Sequence, residues 1–427
     1  MVFLMFLLGI SVFSGVILSL VFLLYIVEKK VVDVSDCQVL INGDKEKSPT
    51  VSSGTTLLTA LSAAGVFLPS ACGGGGTCAM CKVTVLEGAG EALPTELPHL
   101  NLNERKNNVR LGCQVKVKSD MKIQIPDEIF SIKKYECEVV SNYNVASFIK
   151  EFVVKLPEGE NLNFEAGGYV QIDVPECSID FKNMDIAPHL EDSAGTDKFK
   201  QEWDKFKLRD LKMVNEEPLF RAYSMANHPA EGNIVMLNIR IATPPWDRSK
   251  NTWMDVNPGV CSSYIFGLKP GDKVTLSGPY GEFFIKETEA EMCYIGGGAG
   301  MAPMRSHLFH LFHTLKTGRK VSFWYGGRSK RELFYVDQFR DIEKKFPNFT
   351  FNIVLSEPLP EDNWTEKEGY TGFVHNAVID HYLSKHDEPE DIEFYFCGPP
   401  MMNQAVLKMC DDWGIPPENV AFDDFGG

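Results

Sequence analysis

Four cysteines in the first third of the chain have a spacing typical of metal or iron–sulfur ligands. Cys72, Cys78 and Cys81 share one short segment with four consecutive glycines, and Cys113 lies farther along. Four thiolates are the ligand set of a 2Fe–2S cluster, and glycines let backbone N–H groups approach its sulfides. Structural zinc is the alternative, but zinc sites usually combine two Cys-x-x-Cys pairs, and this segment has one. We therefore predict a 2Fe–2S cluster on these four cysteines.

A second pair of motifs suits a flavin. In a strand, residues 221–224 would place Arg221 and Tyr223 on one face and Ser224 on the other. A guanidinium can pair with a pyrophosphate, a phenol can stack on an isoalloxazine, and Ser224 would bond the flavin near N5. A later glycine–serine turn would offer N–H groups to phosphate at a helix start. The predicted FAD contacts are Arg221, Tyr223, Ser224, Gly259, Val260, Cys261, Ser262 and Ser263. An edge strand with a satisfied arginine is the simpler interpretation of the first motif alone.

A third motif is typical of dinucleotide binding. A buried-type strand over 292–295 leads into a glycine run, a helix predicted over 304–314 and a strand over 321–325. In that context the glycines let a pyrophosphate touch backbone at the helix start. The predicted contacts there are Gly296, Gly297, Gly298 and Gly300.

The turn after a later strand, 393–396, contains Cys397, Gly398 and Pro399. Ligands bind at the carboxyl ends of parallel strands, so we expect this turn to contact the nucleotide and Cys397 to face the nicotinamide. A small buried apolar residue would have the same character, and both interpretations can hold.

The residues after strand 321–325 leave the choice of nucleotide open. Many NAD sites have an acidic residue there that holds the ribose 2′-hydroxyl. This chain instead has Arg328, Ser329 and Lys330, which could accept a 2′-phosphate. The residues alone exclude neither NADH nor NADPH, and Arg328 is a predicted nucleotide contact.

The elements that must position these motifs indicate a multidomain protein. Strands over 38–41 and 82–86 and a helix over 56–64 surround the cysteine segment, in a domain predicted at 33–127. Strand-like runs at 136–140, 148–156, 169–174, 234–241 and 273–277 predict an antiparallel β-barrel in a domain at 130–286. Alternating strands and helices predict an α/β parallel-sheet domain at 287–427.

One stretch, 177–218, is long and rich in charge. Long connections in compact domains are often functional. We expect a solvated excursion, with a docking or shielding element over the flavin as the alternative.

The N-terminal end predicts one transmembrane helix over 1–27, because this run has no charged residue and about 20 apolar residues span a bilayer. A cleaved signal peptide is the alternative, but no basic residue precedes the apolar core. Lys29 and Lys30 place the following part in the cytoplasm. Ser11, Gly15 and Ser19 would share one helix face, where a partner helix could pack. The net charge of −16 argues against nucleic-acid binding.

The cysteine segment resembles β-grasp ferredoxin domains, and the two later segments resemble the ferredoxin–NADP reductase superfamily. The order of segments, the N-terminal helix, the insertion before Arg221 and the ending Asp-Asp-Phe-Gly-Gly closely resemble the family of F subunits of sodium-translocating NADH:quinone oxidoreductases. The resemblance implies NADH as donor, membrane subunits as partners, ubiquinone as terminal acceptor and a single-pass protein of the bacterial inner membrane. It also implies that Phe425 covers the flavin face and yields to the nicotinamide; the alternative is that this ring simply packs the C-terminal tail. Catalytic roles are thus expected for Ser224, Cys397 and Phe425.

Two other functions stay open at this stage. Ferredoxin, flavin and nucleotide segments in this order also occur in reductases of bacterial oxygenases, so a membrane-tethered oxygenase reductase is one alternative. The other is a non-catalytic electron relay that no longer binds nucleotide.

Overall fold

The computed structural model describes residues 9, 12–23, 36–189, 195 and 197–425. The chain divides into two compact units. The smaller comprises Met1–Pro69 and Gly74–Ser131, and the larger comprises Ser70–Gly73 and Ile132–Gly427.

The smaller unit contains a five-stranded mixed sheet. Its strands are β1 (Asp36–Ile41), β2 (Thr50–Ser52), β3 (Lys82–Glu87), β4 (Val109–Leu111) and β5 (Met121–Gln124), and its helices are α1 (12–23), α2 (Leu57–Ala63) and α3 (Leu102–Lys106). The strand order is β2-β1-β5-β3-β4, with β1 and β5 parallel and the other pairs antiparallel. The two strands and the helix predicted around the cysteines are confirmed, each to within two residues at either end.

Helix α2 begins where the sequence predicts. Thr56 is its N-cap, and the Thr56 side chain accepts a hydrogen bond from the Thr59 N–H, which satisfies a donor that the helix itself cannot. The Leu57 and Leu58 N–H groups donate to the carbonyls of Val115 and Gly112 at 2.7 and 2.9 Å. These bonds fix the segment that carries Cys113 against the start of the helix.

The N-terminal prediction falls mostly outside the described residues, including Ser11, Lys29 and Lys30. Residues 12–23 are helical, and large apolar side chains along them are exposed, among them Phe13 at 69% and Leu18 at 67%. Among the described residues, no helix combines the length and apolar character needed to cross a bilayer.

The first part of the larger unit is an antiparallel barrel. Its strands and helices are β6 (Lys133–Ala146), β7 (Ile149–Lys155), β8 (Tyr169–Val174), β9 (Cys177–Asp180), α4 (Lys200–Lys205), β10 (Lys212–Asn215), β11 (Leu219–Ser224), β12 (Ile234–Arg240), β13 (Trp246–Asp247), β14 (Thr252–Trp253), α5 (Val260–Gly267) and β15 (Lys273–Tyr280). Six strands follow the order β11-β8-β15-β6-β7-β12. A bridge between Met225 and Leu237 joins the two edge strands, so the predicted barrel is closed.

Strand β6 is much longer than the predicted 136–140. Its pairing with β7 shifts register twice, between Val139 and Ser141 and between Asn144 and Ala146. Such bulges interrupt the alternation of inward and outward side chains. The pattern in the sequence therefore marks only part of the strand.

The stretch 177–218 is not a solvated excursion, so that expectation was wrong. It forms the antiparallel pair β9–β10 and helix α4. Its apolar side chains extend the barrel core: Phe181, Trp203 and Met213 are fully buried there. The stretch is rich in charged residues, but these apolar side chains fix it to the barrel core.

The last part is a six-stranded parallel sheet with helices. Its elements are β16 (Met292–Gly297), α6 (Met301–Phe309), β17 (Val321–Gly327), α7 (Val336–Lys345), β18 (Phe349–Leu355), β19 (Tyr370–Thr371), α8 (Val374–His381), β20 (Glu393–Cys397), α9 (Pro400–Asp412) and β21 (Val420–Asp423). The order β19-β18-β17-β16-β20-β21 places β16 where the chain reverses direction across the sheet. Open parallel sheets bind ligands at the carboxyl edge of such a position.

Helix α6 begins three residues earlier than predicted, at Met301, and a π-helical turn over His310–Leu315 ends it. Pro303 suggests a boundary in the sequence, but proline is tolerated in the first turn of a helix because the N–H that it lacks has no acceptor there.

Candidate functional site

The cysteine loop adopts backbone conformations that require glycine. Gly74 and Gly76 have positive φ values of 94° and 78°. A Cβ on Gly76 would lie 2.7 Å from Nε2 of Gln114, so this position is also closed to a side chain by its neighbour. The glycine tract thus does what the sequence predicts: it lets the loop turn sharply beside the cysteines.

Two predicted cluster ligands, Cys81 and Cys113, lie side by side in the smaller unit, and Cys78 lies near enough to affect the Cys81 pKa. The Gly112 N–H donates to the Cys81 carbonyl at 2.8 Å, which places Cys113 beside Cys81. Both thiols are buried, at 1% and 5% exposed. The Cys81 pKa is raised by a hydrogen bond with the Cys113 thiol, by burial and by the nearby Cys78. Ionised thiols are unfavourable in such a buried cluster unless a cation offsets their charge. The site therefore suits an iron centre, whose positive charge stabilises thiolates.

Cys72, the fourth predicted ligand, lies in the segment Ser70–Gly73, which belongs to the larger unit. Its Sγ is 3.9 Å from the hydroxyl of Ser70. Like Cys78 it is partly exposed. No three acidic, cysteine or histidine side chains among the described residues converge as ligands of a single metal ion.

The first flavin motif lies on strand β11, which pairs antiparallel with β8. Arg221 and Tyr223 are partly exposed, and Ser224 is 6% exposed on the opposite face. The Arg221 guanidinium donates through Nη1 to the Phe220 carbonyl at 2.8 Å, and its Nε and Nη2 groups are further donors that a ligand could use. The strand therefore presents a cation and a ring side by side, as predicted.

The second flavin motif forms the start of helix α5. A Cβ on Gly259 would lie 2.5 Å from the Cβ of Ala242, so only glycine fits there. The hydroxyls of Ser262 and Ser263 donate to the Gly259 carbonyl at 3.1 and 2.7 Å. Burial raises the pKa of Cys261 to about 12. These side chains face the protein, which leaves the N–H groups of the first turn as candidate phosphate donors.

Asp423 is a candidate residue that sequence reasoning missed. The Ser224 hydroxyl donates to Oδ2 of Asp423 at 2.6 Å, and the two residues are 199 positions apart. Burial of the carboxyl group raises the Asp423 pKa, although the Ser224 bond opposes the shift. The only signal in the sequence was the acidic pair in the last turn, whose partner cannot be read from the chain.

The nucleotide turn lies at the reversal point of the parallel sheet. Gly296 and Gly297 belong to the end of β16, and the turn itself is the single 3₁₀ turn Gly298–Gly300. A Cβ on Gly300 would lie 2.1 Å from the Cys397 carbonyl oxygen, so the two predicted nucleotide turns touch. The sequence-predicted residues of both turns, Gly398 and Pro399 included, thus form one edge.

The predicted hydride-transfer residues differ in exposure. Cys397 is fully buried, and burial holds its pKa well above the usual range, so the thiol is neutral. Phe425 is 47% exposed. Phe422, in strand β21, stacks on Phe396 with ring centroids 5.2 Å apart. This contact fixes the end of the chain to strand β20.

Arg328, the predicted contact of the nucleotide ribose, is half-exposed and paired with acids. Its guanidinium lies 3.6 Å from Oε2 of Glu202 and 3.8 Å from Oε2 of Glu357. Glu202 belongs to α4, inside the stretch 177–218, and it was not anticipated at this site.

Models of three domain families match the chain in the order predicted from the sequence. The 2Fe-2S iron-sulfur cluster binding domain matches residues 39–118. The oxidoreductase FAD-binding domain matches residues 205–285, and the oxidoreductase NAD-binding domain matches residues 294–408. The chain is therefore an oxidoreductase with domains for all three redox groups.

Curated relatives extend this similarity to the whole chain. The F subunit of the Na(+)-translocating NADH-quinone reductase of Serratia proteamaculans is 52% identical over 420 residues, which are 98% of this chain and 99% of that protein. The protein of the same name from Neisseria meningitidis is 51% identical with the same coverage. The chain belongs to the family of these F subunits. Membership confirms the predicted family and the redox groups FAD, NADH and 2Fe–2S.

Two solved structures have a similar fold. The Amycolatopsis cytochrome P450 reductase GcoB has a TM-score of 0.60 at 23% identity, covering 91% of this chain and 98% of its own. The ferredoxin reductase of a carbazole 1,9a-dioxygenase has a TM-score of 0.57 at 24% identity, covering 92% and 99%. At such identities the likeness concerns the fold alone.

Proposed function

We propose that this chain is the NADH-oxidising, electron-entry subunit of a membrane-bound, Na⁺-translocating NADH:ubiquinone oxidoreductase. The observation that carries the proposal is the similarity to curated F subunits across 98% of the chain. Partner subunits in the bacterial inner membrane receive the electrons and pass them to ubiquinone. An oxygenase reductase is less well supported, because the relatives that match this chain along nearly their full length are named as F subunits and not as oxygenase reductases.

FAD, when bound, accepts a hydride and releases electrons singly, and a 2Fe–2S cluster carries one electron at a time. The chain's residues supply placement for this chemistry. Arg221 and the first turn of α5 would hold the phosphates of a bound flavin, Tyr223 would stack on its ring, and Ser224 would lie near the atom that accepts the hydride. The glycine turns at Gly298–Gly300 and after β20 orient the dinucleotide.

The Ser224–Asp423 pair handles the proton. The Ser224 O–H is directed to the Asp423 carboxyl, so its oxygen can accept from a flavin N–H. With a flavin bound, the pair would connect a ring N–H to the Asp423 carboxylate, which can accept the proton. The neutral thiol of Cys397 packs at the same edge without bringing a negative charge near the hydride.

Each redox group belongs to its own domain in this proposal. Residues 33–127 hold the cluster, 130–286 the flavin and 287–427 the nucleotide, with Phe425 covering the flavin until the nicotinamide arrives. Cys72, Cys78, Cys81 and Cys113 are the proposed cluster ligands. The exposed apolar side chains of 12–23 support a membrane anchor over 1–27, with the remaining part in the cytoplasm.

Removing residues 1–27 tests the anchor and the subunit assignment together. The shortened chain should retain the wild-type rate of NADH oxidation with ferricyanide, because the redox domains follow the deletion. It should fail to restore Na⁺-stimulated quinone reduction to membranes that lack the native chain, whereas the full chain should restore it.

A full chain that oxidises NADH but never restores Na⁺-stimulated activity would contradict the assignment. A shortened chain that restores full activity would contradict the anchor alone. A variant with residues 1–27 replaced by an unrelated single-pass helix is the matched control, because it separates membrane tethering from specific packing by this helix.

A further inference from the structure

We propose that Glu202, supplied by the stretch 177–218, makes this chain select NADH over NADPH. The inference rests on the proposed placement of the adenosine ribose beside 328–331, after the second strand of the parallel sheet. Nucleotide domains usually provide their own acidic residue at this position. Here the acid comes from another part of the larger unit.

Glu202 is held firmly at this position. It is 5% exposed and belongs to the short helix α4, directly before Trp203. Trp203 is fully buried, and its indole N–H donates to the Ser147 carbonyl at 2.6 Å. The Glu332 carboxylate binds the N–H and hydroxyl of the same Ser147 at 3.0 and 2.5 Å. Ser147 thus connects α4 to the segment that would contact the ribose.

The Glu202 carboxylate pairs with both arginines there. Its Oε1 accepts a hydrogen bond from Nη2 of Arg331 at 2.9 Å, and its Oε2 lies 3.6 Å from Nη2 of Arg328. Lys205 of the same helix is 3.7 Å from Oε1. Arginine is the residue best suited to a phosphate, and both arginines are already engaged by carboxylate.

One oxygen of Glu202 retains acceptor capacity. Among the described residues, Oε2 of Glu202 is a buried side-chain oxygen without a hydrogen-bond partner. Leaving such an atom unsatisfied carries a cost, so its presence beside a ligand edge calls for an explanation. A ribose 2′-hydroxyl can donate to it once the half-exposed Arg328 side chain swings aside.

The remaining charges of the segment are also compensated. Lys330 pairs with Glu368 at 2.5 Å, and Arg331 also lies 3.5 Å from Glu332. Glu357 also lies 3.8 Å from Arg328, but its side chain is 75% exposed, so solvent screens its charge. Each cation of 328–331 thus has a carboxylate oxygen within 3.6 Å. A 2′-phosphate, which brings between one and two negative charges, meets repulsion, whereas a hydroxyl does not.

The test is Glu202→Gln in the full chain, which keeps the shape of the side chain and removes its charge. We expect kcat/KM for NADPH, with ferricyanide as acceptor, to rise by at least about 10-fold, mainly through a lower KM, since uniform binding changes KM. For NADH the change should stay below about 3-fold. Glu357→Gln is the matched control, because this exposed acid also faces Arg328, and it should change neither value by more than about 3-fold.

A binding measurement separates charge from a merely structural role. By calorimetry, 2′,5′-ADP should bind the Glu202→Gln protein at least about 10-fold more tightly than wild type, and 5′-AMP should bind both equally. Adding Arg328→Ala should remove the gain for 2′,5′-ADP, because the released arginine is the proposed phosphate ligand. If Glu202→Gln loses its flavin, Glu202→Asp replaces it, and the retracted carboxylate should relax selection by at least about 3-fold.

An unchanged NADPH-to-NADH ratio in a folded variant would overturn the proposal, as would a ratio that shifts only through loss of NADH activity. Failure of 5′-AMP to compete with NADH in the wild type would refute the placement of the adenosine on which the inference rests. Neither result would affect the electron-entry function, which the N-terminal deletion tests separately.

Discussion

Replacing Cys113 with serine should remove the iron and stop electron delivery to quinone while leaving NADH oxidation by ferricyanide intact. Cys113 lies buried beside Cys81, where the Gly112–Cys81 hydrogen bond holds it. A serine oxygen is a poorer ligand than a thiolate for this cluster type. We expect quinone reduction to fall by more than about 100-fold, beyond the effect of losing a supporting contact around a metal site.

The measurement combines iron analysis, the low-temperature EPR signal of the NADH-reduced protein and the two activities. Cys37→Ser is the matched control, because Cys37 is buried at 2% in strand β1 of the same unit and is not a proposed ligand. The variant and its control should differ in iron content and quinone reduction. Loss of both activities in Cys113→Ser would show that the segment supports folding and not only electron transfer.

Replacing Asp423 with asparagine should slow turnover with quinone by about 10²–10⁴-fold, the usual contribution of a positioned proton acceptor. Asparagine keeps a partner for the Ser224 hydroxyl but cannot take up a proton. Flavin content should be unchanged, because Asp423 contacts Ser224 and not the proposed phosphate donors. Stopped-flow measurement of flavin reduction and reoxidation should place the loss in reoxidation.

The pH dependence of quinone turnover tests whether the ionised Asp423 carboxylate is the proton acceptor. Burial raises the Asp423 pKa, so the carboxyl stays protonated to a higher pH than an ordinary aspartate. Only the ionised form accepts a proton, and the wild-type rate should therefore fall as pH drops through this raised pKa. The Asp423→Asn rate should lack that acidic limb. Asp424→Asn, at the exposed neighbour, should keep it. An Asp423→Asn variant with the wild-type rate and acidic limb would exclude a role in proton transfer.

Local signals made most of the fold predictable. Thr56 caps α2 where expected, strands β8 and β20 begin where alternation and apolar runs indicate, and the glycine turn follows β16. Each of these depends on residues within one turn or one strand of each other. The same holds for the cysteine loop, whose glycines adopt the backbone conformations that their type suggests.

The contacts that complete the site are distant in sequence, and sequence reasoning missed them. Ser224 meets Asp423 across 199 positions, and Glu202 meets Arg331 across 129. No local sequence pattern predicts either pair, because each residue is compatible with its own strand or helix whether or not its partner is present. The stretch 177–218 was misread for a related reason: its charged residues mask Phe181 and Trp203, whose burial in the barrel core fixes Glu202.

We expect electrons from NADH to pass first to the flavin and then to the iron–sulfur cluster of the same chain. Mixing the anaerobic full-length protein with NADH and following it by rapid-scan absorbance and freeze-quenched EPR tests this order directly. The flavin absorbance should bleach first, and the reduced-cluster signal should then rise at the rate at which the flavin gives up its electrons. A cluster signal that precedes flavin bleaching, or that never rises while the flavin is reduced, would contradict the claim.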